Sequence, residues 1–136
     1  MSEEILGGCL CGAVRYSFAS VPKLQLICHC GSCQKQSGSA FSAAALVSRD
    51  EMEINGETKS YTRQGDSGEN ITRVFCPECG SSLYSEVAAR PDAYVVQIGT
   101  VDKTDWFKPR VNLWTDDVQG WVAIDPECKN FRGNAG

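Results

Sequence analysis

The placement of eight cysteines constrains this 136-residue chain more than any other feature. They fall into "CLC" (Cys9, Cys11), "CHCGSC" (Cys28, Cys30, Cys33), "CPEC" (Cys76, Cys79) and a lone Cys128. Side chains at i and i+2 point to opposite faces of a regular strand, so a CxC pair chelates one ion only where the backbone bends. Gly7, Gly8 and Gly12 permit that bend. In "FCPECGS" the i, i+3 spacing lets both sulfurs face one point, Pro77 stiffens the turn, and Gly80 permits the positive φ that aims backbone N–H groups at the thiolates. Together the two motifs supply four sulfurs, the complement of a tetrahedral structural zinc with bonds of about 2.3 Å. Two unrelated pairs of buried thiols are the plainer use of the same residues.

The segment "CHCGSC" crowds three cysteines and the only histidine, His29, together. Cys28 is expected at a strand end, Cys30 after a bend and Cys33 one helical turn further on, which makes a tripod. A helix starting near Cys30 would direct backbone N–H groups and the positive end of its dipole at the thiolates. Three protein ligands, with the fourth position left to water or a substrate atom, mark a catalytic rather than a structural zinc. His29 lies between two ligands and would have to fold back to reach the same ion, so a hydrogen-bonding or lining role is expected of it. Cys128 is another candidate to close the tripod, with a merely buried thiol as the expected reading. A zinc ribbon built from "CGSC" and "CPEC" is disfavoured, because Cys33 and Cys76 are further apart than the usual separation of roughly 15–20 residues.

The rest of the chain predicts a mainly β fold. Apolar and polar residues alternate in "AVRYSF" (13–18), "FSAAALV" (41–47), "KSYTRQ" (59–64), "ITRVF" (71–75), "SLYSEV" (82–87) and "AYVVQIG" (93–99). Turn residues punctuate them in "INGET" (54–58), "QGDSGEN" (64–70) and "ARPDA" (89–93). One short helix is expected from about Cys30 to Ser37, stopped by Gly38. By length the chain is one domain, with a core over about 8–124 and a tail over 125–136 whose last residues, "RGNAG", are expected to fray. Trp121 is assigned to the core, and Trp114 either to the core or to a pocket wall.

Charge and the amino terminus bound the function. Thirteen Lys and Arg against seventeen Asp and Glu give a net charge of −4, which argues against general affinity for nucleic acid or an anionic membrane. "MSEEILGGCLCG" has two acidic residues and no long apolar run, so it reads as neither a secretory signal nor a membrane span. A cytoplasmic location is therefore expected, where clustered cysteines serve as metal ligands or redox groups rather than disulfides.

Taken in order, "GGCLCGAVRY", "CHCGSCQKQSGSAF" and "RVFCPECGSSLY" resemble the glutathione-dependent formaldehyde-activating enzyme family, which includes the zinc-binding domain of centromere protein V. The resemblance spans about Gly8 to Trp121. It implies a β-tent fold of small antiparallel sheets, a structural zinc on Cys9, Cys11, Cys76 and Cys79, and a second, catalytic zinc on Cys28, Cys30 and Cys33. The implied activity joins glutathione to formaldehyde, a carbon–sulfur lyase in reverse, with a small thiol and an aldehyde as partners. Family members often carry a histidine where this chain has Asn112. Lys35, Arg63, Arg73 and Arg110 are candidates to hold glutathione's two carboxylates. Two other classes compete. One is a non-catalytic zinc carrier or protein-interaction module. The other is a thiol oxidoreductase using Cys128 beside Lys129 and Arg132, by likeness to one class of methionine sulfoxide reductases.

Overall fold

The structure, a computed structural model, describes residues 4–65 and 68–134. Among them the chain forms one helix, α1 (Gly31–Ser37), and eleven strands. These are β1 (Ile5–Gly8), β2 (Arg15–Phe18), β3 (Gln25–Cys28), β4 (Ser42–Ser48), β5 (Met52–Asn55), β6 (Lys59–Gln64), β7 (Asn70–Phe75), β8 (Ser82–Val87), β9 (Ala93–Gln97), β10 (Val111–Leu113) and β11 (Lys129–Asn130). β1, β2 and β5 make a small antiparallel sheet, and the other eight run β11-β10-β3-β4-β9-β8-β7-β6 in a larger one. The fold is mainly β with a single helix, as the alternation predicts.

The two sheets share a core, which is the basis of the tent. Ile5, Tyr16, Phe18 and Met52 of the small sheet pack in one cluster with Val47, Val74, Leu83, Tyr84 and Val96 of the large one. Cys9 and Cys76 are members of the same cluster. Removing this apolar surface from water is the main driving force for the sheets' association. A seam of polar contacts accompanies it, with Gly7 bridged to Val101 and the Tyr16 hydroxyl 2.7 Å from Thr100 Oγ1. β6, all of whose residues are exposed, ends the large sheet with polar and charged side chains that protect an open edge.

Several expectations are corrected. β1, β5, β10 and β11 do not show in the sequence pattern, and β3 shows only through the strand end at Cys28. Each has four residues or fewer, too short to display a period. Ile54 and Asn55 finish β5, so the turn read at 54–58 begins at Gly56, whose φ is 114°. In the turn at 64–70, positions 66 and 67 lie outside the described residues. The large sheet is mixed, because β10 runs parallel to both β3 and β11. Trp121 is 77% exposed and is not core, whereas Trp106 packs against the core cluster. The tail is tied down through 134. Trp114 N–H donates to Gly133 O at 3.0 Å, its indole N–H donates to Asn134 Oδ1 at 2.8 Å, and Arg132 pairs with Asp116 at 2.9 Å. Positions 135 and 136 of "RGNAG" lie outside the described residues.

Candidate metal centres

Cys9 and Cys11 leave β1 through a turn, and Cys76 and Cys79 leave β7 just past a register shift at Val74/Phe75. The bend sits at Gly12, with φ 83°, while Gly7 and Gly8 belong to β1. All four sulfurs lie within 4.8 Å of one another. Cys9 and Cys11 are 3.7 Å apart and Cys11 and Cys76 3.8 Å, against a tetrahedral edge of about 3.8 Å for four sulfurs at about 2.3 Å from a shared ion. Backbone N–H groups are aimed at them as the motif predicts, with Val14 N–H on Cys9 Sγ at 3.2 Å and Glu78 N–H on Cys76 Sγ at 3.3 Å. Gly80, at φ 79°, closes that turn onto Cys76 O. A contributor not anticipated from sequence is Ser81, which follows the motif directly. Its hydroxyl lies 3.2 Å from Cys79 Sγ and accepts the Leu10 N–H at 3.0 Å, tying both halves of the cluster together. The Ser81 hydroxyl and backbone, then the Cys11 backbone, hold the Cys79 thiol down to about 5.

Cys28, Cys30 and Cys33 form a second group within the same 4.8 Å limit. Cys28 ends β3, Cys30 is the N-cap of α1 in an extended conformation, and Cys33 follows one turn on. Cys33 N–H donates to Cys30 Sγ at 3.3 Å. Gly38, with φ 68°, stops the helix as expected. The three thiols behave as one acid. The hydrogen bonds from Cys28 and Cys33 hold Cys30 down to about 2, and Cys28 is correspondingly raised by those it gives to Cys30 and Cys33. Cys33, eased down by Cys28, is pushed up further by Cys30 and by burial, to about 11. Like charges this close do not ionise together without a cation, and such a set of sulfurs suits a metal ion that supplies one.

His29 is not the fourth member. Its side chain is 2% exposed and turned to β10, where Nε2–H donates to Asn112 Oδ1 at 2.9 Å, while the ring meets Phe41 edge-on. Asn112 in turn donates to Asn130 Oδ1 at 3.0 Å and is itself buried, so it has a supporting role. Cys128 joins neither group among the described residues; its thiol donates to Pro109 O at 3.6 Å, and Arg132 is committed to Asp116. Trp114 forms neither core nor the wall of either cavity described below; its ring rests near Gly133, with its backbone at φ 57°.

Beside the tripod, Gly31, Ser32, Lys35 and Gln36 of α1 face Tyr61, Arg63 and Arg73 of β6 and β7 across a cavity of about 380 Å³. Three of the four expected anion-binding residues are thus in one place. The fourth, Arg110, lies with Lys23, Lys108 and Lys129 around a separate cavity of about 460 Å³ at the Gln25 end of β3.

A family model described as glutathione-dependent formaldehyde-activating enzyme matches residues 4–117. The chain belongs to this family. A similar protein named as an uncharacterized lyase, from Schizosaccharomyces pombe, is 26% identical over 129 residues, covering 94% of this chain and 85% of its own. Another, named for glutathione-dependent formaldehyde activation, from Colletotrichum graminicola, is 26% identical over 95 residues, 67% of this chain but 49% of its own length. A crystal structure of a Rhodobacter sphaeroides protein superposes with TM-score 0.58 at 20% identity, over 71% of this chain and 87% of that one, and supports the fold. No helix among the described residues is long and apolar enough to cross a membrane.

Proposed function

We propose that this chain is a single zinc-binding domain carrying two zinc ions, and that it joins a glutathione-like thiol to formaldehyde. In that reaction a carbon–sulfur bond forms, the carbonyl π bond breaks, and the thiol proton ends on the carbonyl oxygen. Thiol and aldehyde thus give the S-hydroxymethyl adduct with no oxidant or reductant. The carrying observation is that three sulfurs converge while no fourth His, Cys, Asp or Glu ligand atom joins them among the described residues. This leaves one corner of a tetrahedron for a ligand from outside the chain.

Cys28, Cys30 and Cys33 would hold zinc, which when bound would supply the positive charge that favours a thiolate over a thiol. The protein's own groups do the rest. The N-cap turn fixes the three sulfurs, His29 and Asn112 brace it from behind, and the adjacent cavity orients the substrate. Cys9, Cys11, Cys76 and Cys79 would hold the structural ion, tying the turn after β1 to the turn after β7.

The test is zinc analysis together with an assay of S-hydroxymethylglutathione formation. Two zinc ions per chain, with turnover abolished in Cys33→Ser and one ion retained, are expected. Thiol binding without accelerated adduct formation would instead mark a carrier or interaction module.

A further inference from the structure

We propose that Arg73 anchors a carboxylate of the thiol substrate, so that the reagent is an anionic thiol held at two points, by its sulfur at the tripod and by its carboxylate at Arg73. This rests on the reading of the tripod given above. Arg73 is 5% exposed, yet among the described residues its guanidinium makes no side-chain hydrogen bond and no ion pair. His29 Nδ1 and Trp106 Nε1 are the wholly buried side-chain atoms without a partner among the described residues, so the Arg73 nitrogens still reach solvent, and the five N–H donors of its fork are both uncommitted and accessible.

No carboxylate pairs with Arg73 among the described residues. Arg73 lies across from Tyr61 on β6 and Ser85 on β8, and α1, which faces it across the cavity, contributes Lys35 and no acid. Arg73 favours the thiolates of Cys30 and Cys33 through space, but none of its N–H groups bonds to a sulfur. Arg73 is instead part of the cavity lining, whose opposite wall, Gly31 and Ser32, is the turn that joins Cys30 to Cys33. A thiol at the tripod therefore extends naturally over Arg73. A planar guanidinium matches a carboxylate with two parallel hydrogen bonds, and exposed Lys35 and Arg63 provide a cationic rim for a second anionic group.

The experiment is calorimetric binding of glutathione and of its diethyl ester to the zinc-loaded protein, with Arg73→Gln and Arg110→Gln as variants. No aldehyde is present, so adduct formation cannot occur and the readout is independent of turnover. The acid is expected to bind the unaltered protein, and Arg73→Gln to weaken it by roughly 10- to 100-fold. Arg110→Gln, at the other cavity, is expected to stay within about twofold. The ester, which lacks both carboxylates, is expected to bind the unaltered protein at least roughly 10-fold more weakly than the acid, a comparison within the unaltered protein that holds even if the variant misfolds. Equal affinity for acid and ester, an unchanged affinity in folded Arg73→Gln, or no measurable binding of the acid overturns the proposal. Turnover with ester-insensitive binding refutes the anchor alone, and acid-dependent binding without turnover refutes the enzyme alone.

Discussion

Cys76→Ser and Cys33→Ser are expected to fail in different ways, because the two sulfur groups sit differently in the fold. Cys76 is 0% exposed inside the core cluster, and its sulfur lies 3.8 Å from that of Cys11, 65 positions away. Metal bound at this cluster would close a long loop and pin the small sheet to the large one. A structural zinc of this kind contributes about 10–16 kcal/mol, so weakening one ligand in four removes on the order of 3 kcal/mol. A domain's whole stability is about 5–15 kcal/mol, and each kcal/mol is worth about 3–5 °C at this size. Cys76→Ser is therefore expected to melt at least about 10 °C lower or to be insoluble. The tripod lies outside the core cluster and spans only Cys28 to Cys33, so its metal closes short loops. Cys33→Ser is expected to lose one ion and the adduct-forming activity while melting within about 5 °C of the parent. Circular-dichroism melting and metal analysis of the same samples provide the check. Parent-like melting of metal-depleted Cys76→Ser would refute the structural role, and matching losses in both variants would refute the division of labour.

Gln34→Ala is expected to lower tripod metal affinity by about 10- to 100-fold with little effect at the four-sulfur cluster, measured by competition with a chromophoric chelator. Loading the tripod at neutral pH is expected to release roughly two protons per ion, read with a pH indicator dye. Cys33 at about 11 and Cys28, also raised, start protonated while Cys30 does not, so affinity rises with pH and is lost on acidification. Burial above all raises Tyr16 and Tyr84 to about 12. Their contribution to stability is complete below the unfolded value of about 10 and is lost as pH climbs toward 12, so in a Tyr61→Phe, Tyr94→Phe background phenolate absorbance is expected to appear together with unfolding in that window. Phenolate formation near pH 10 in that background with the fold intact contradicts this. Asn112→Leu removes the acceptor of the buried His29 Nε2–H and is expected to cost about 1–3 kcal/mol in denaturant unfolding, whereas a cost under about 0.5 kcal/mol would count against the brace.

The parts of the fold that could be read from sequence are those with local causes. "KSYTRQ" and "SLYSEV" became β6 and β8 over the full segments, because alternation and flanking turns both act within the segment. α1 was legible from its Gly38 stop, and the turns of the four-sulfur cluster from Gly12 and Gly80. The short strands were not, since two or three residues such as Val111–Leu113 become a strand only through neighbours supplied by β3 and β11. Trp121 illustrates the opposite error, because aromatic character predicts burial only where a partner surface exists. Arg73 lay between the two. Alternation in "ITRVF" put it on the face opposite Val74, and only the placement of α1 decided that this second face is covered as well.

The least predictable part of the chain is also what braces the tripod. Leu113 of β10 pairs with Cys28, and its carbonyl accepts the His29 N–H at 3.0 Å, so β10 sets where β3 ends and chelation begins. Gln34 of α1 then donates to His29 O at 2.7 Å and to Asp117 O at 2.9 Å, and accepts from Gln119. The chelating turn is thus clamped between its own helix and the segment after β10, which the tail fixes through Trp114 and Asp116. Three cysteines in a free peptide would fold around an ion on the ion's terms. Here backbone hydrogen bonds from a distant segment oppose such rearrangement, which favours three protein sulfurs and one exchangeable ligand over a collapsed site filled by His29.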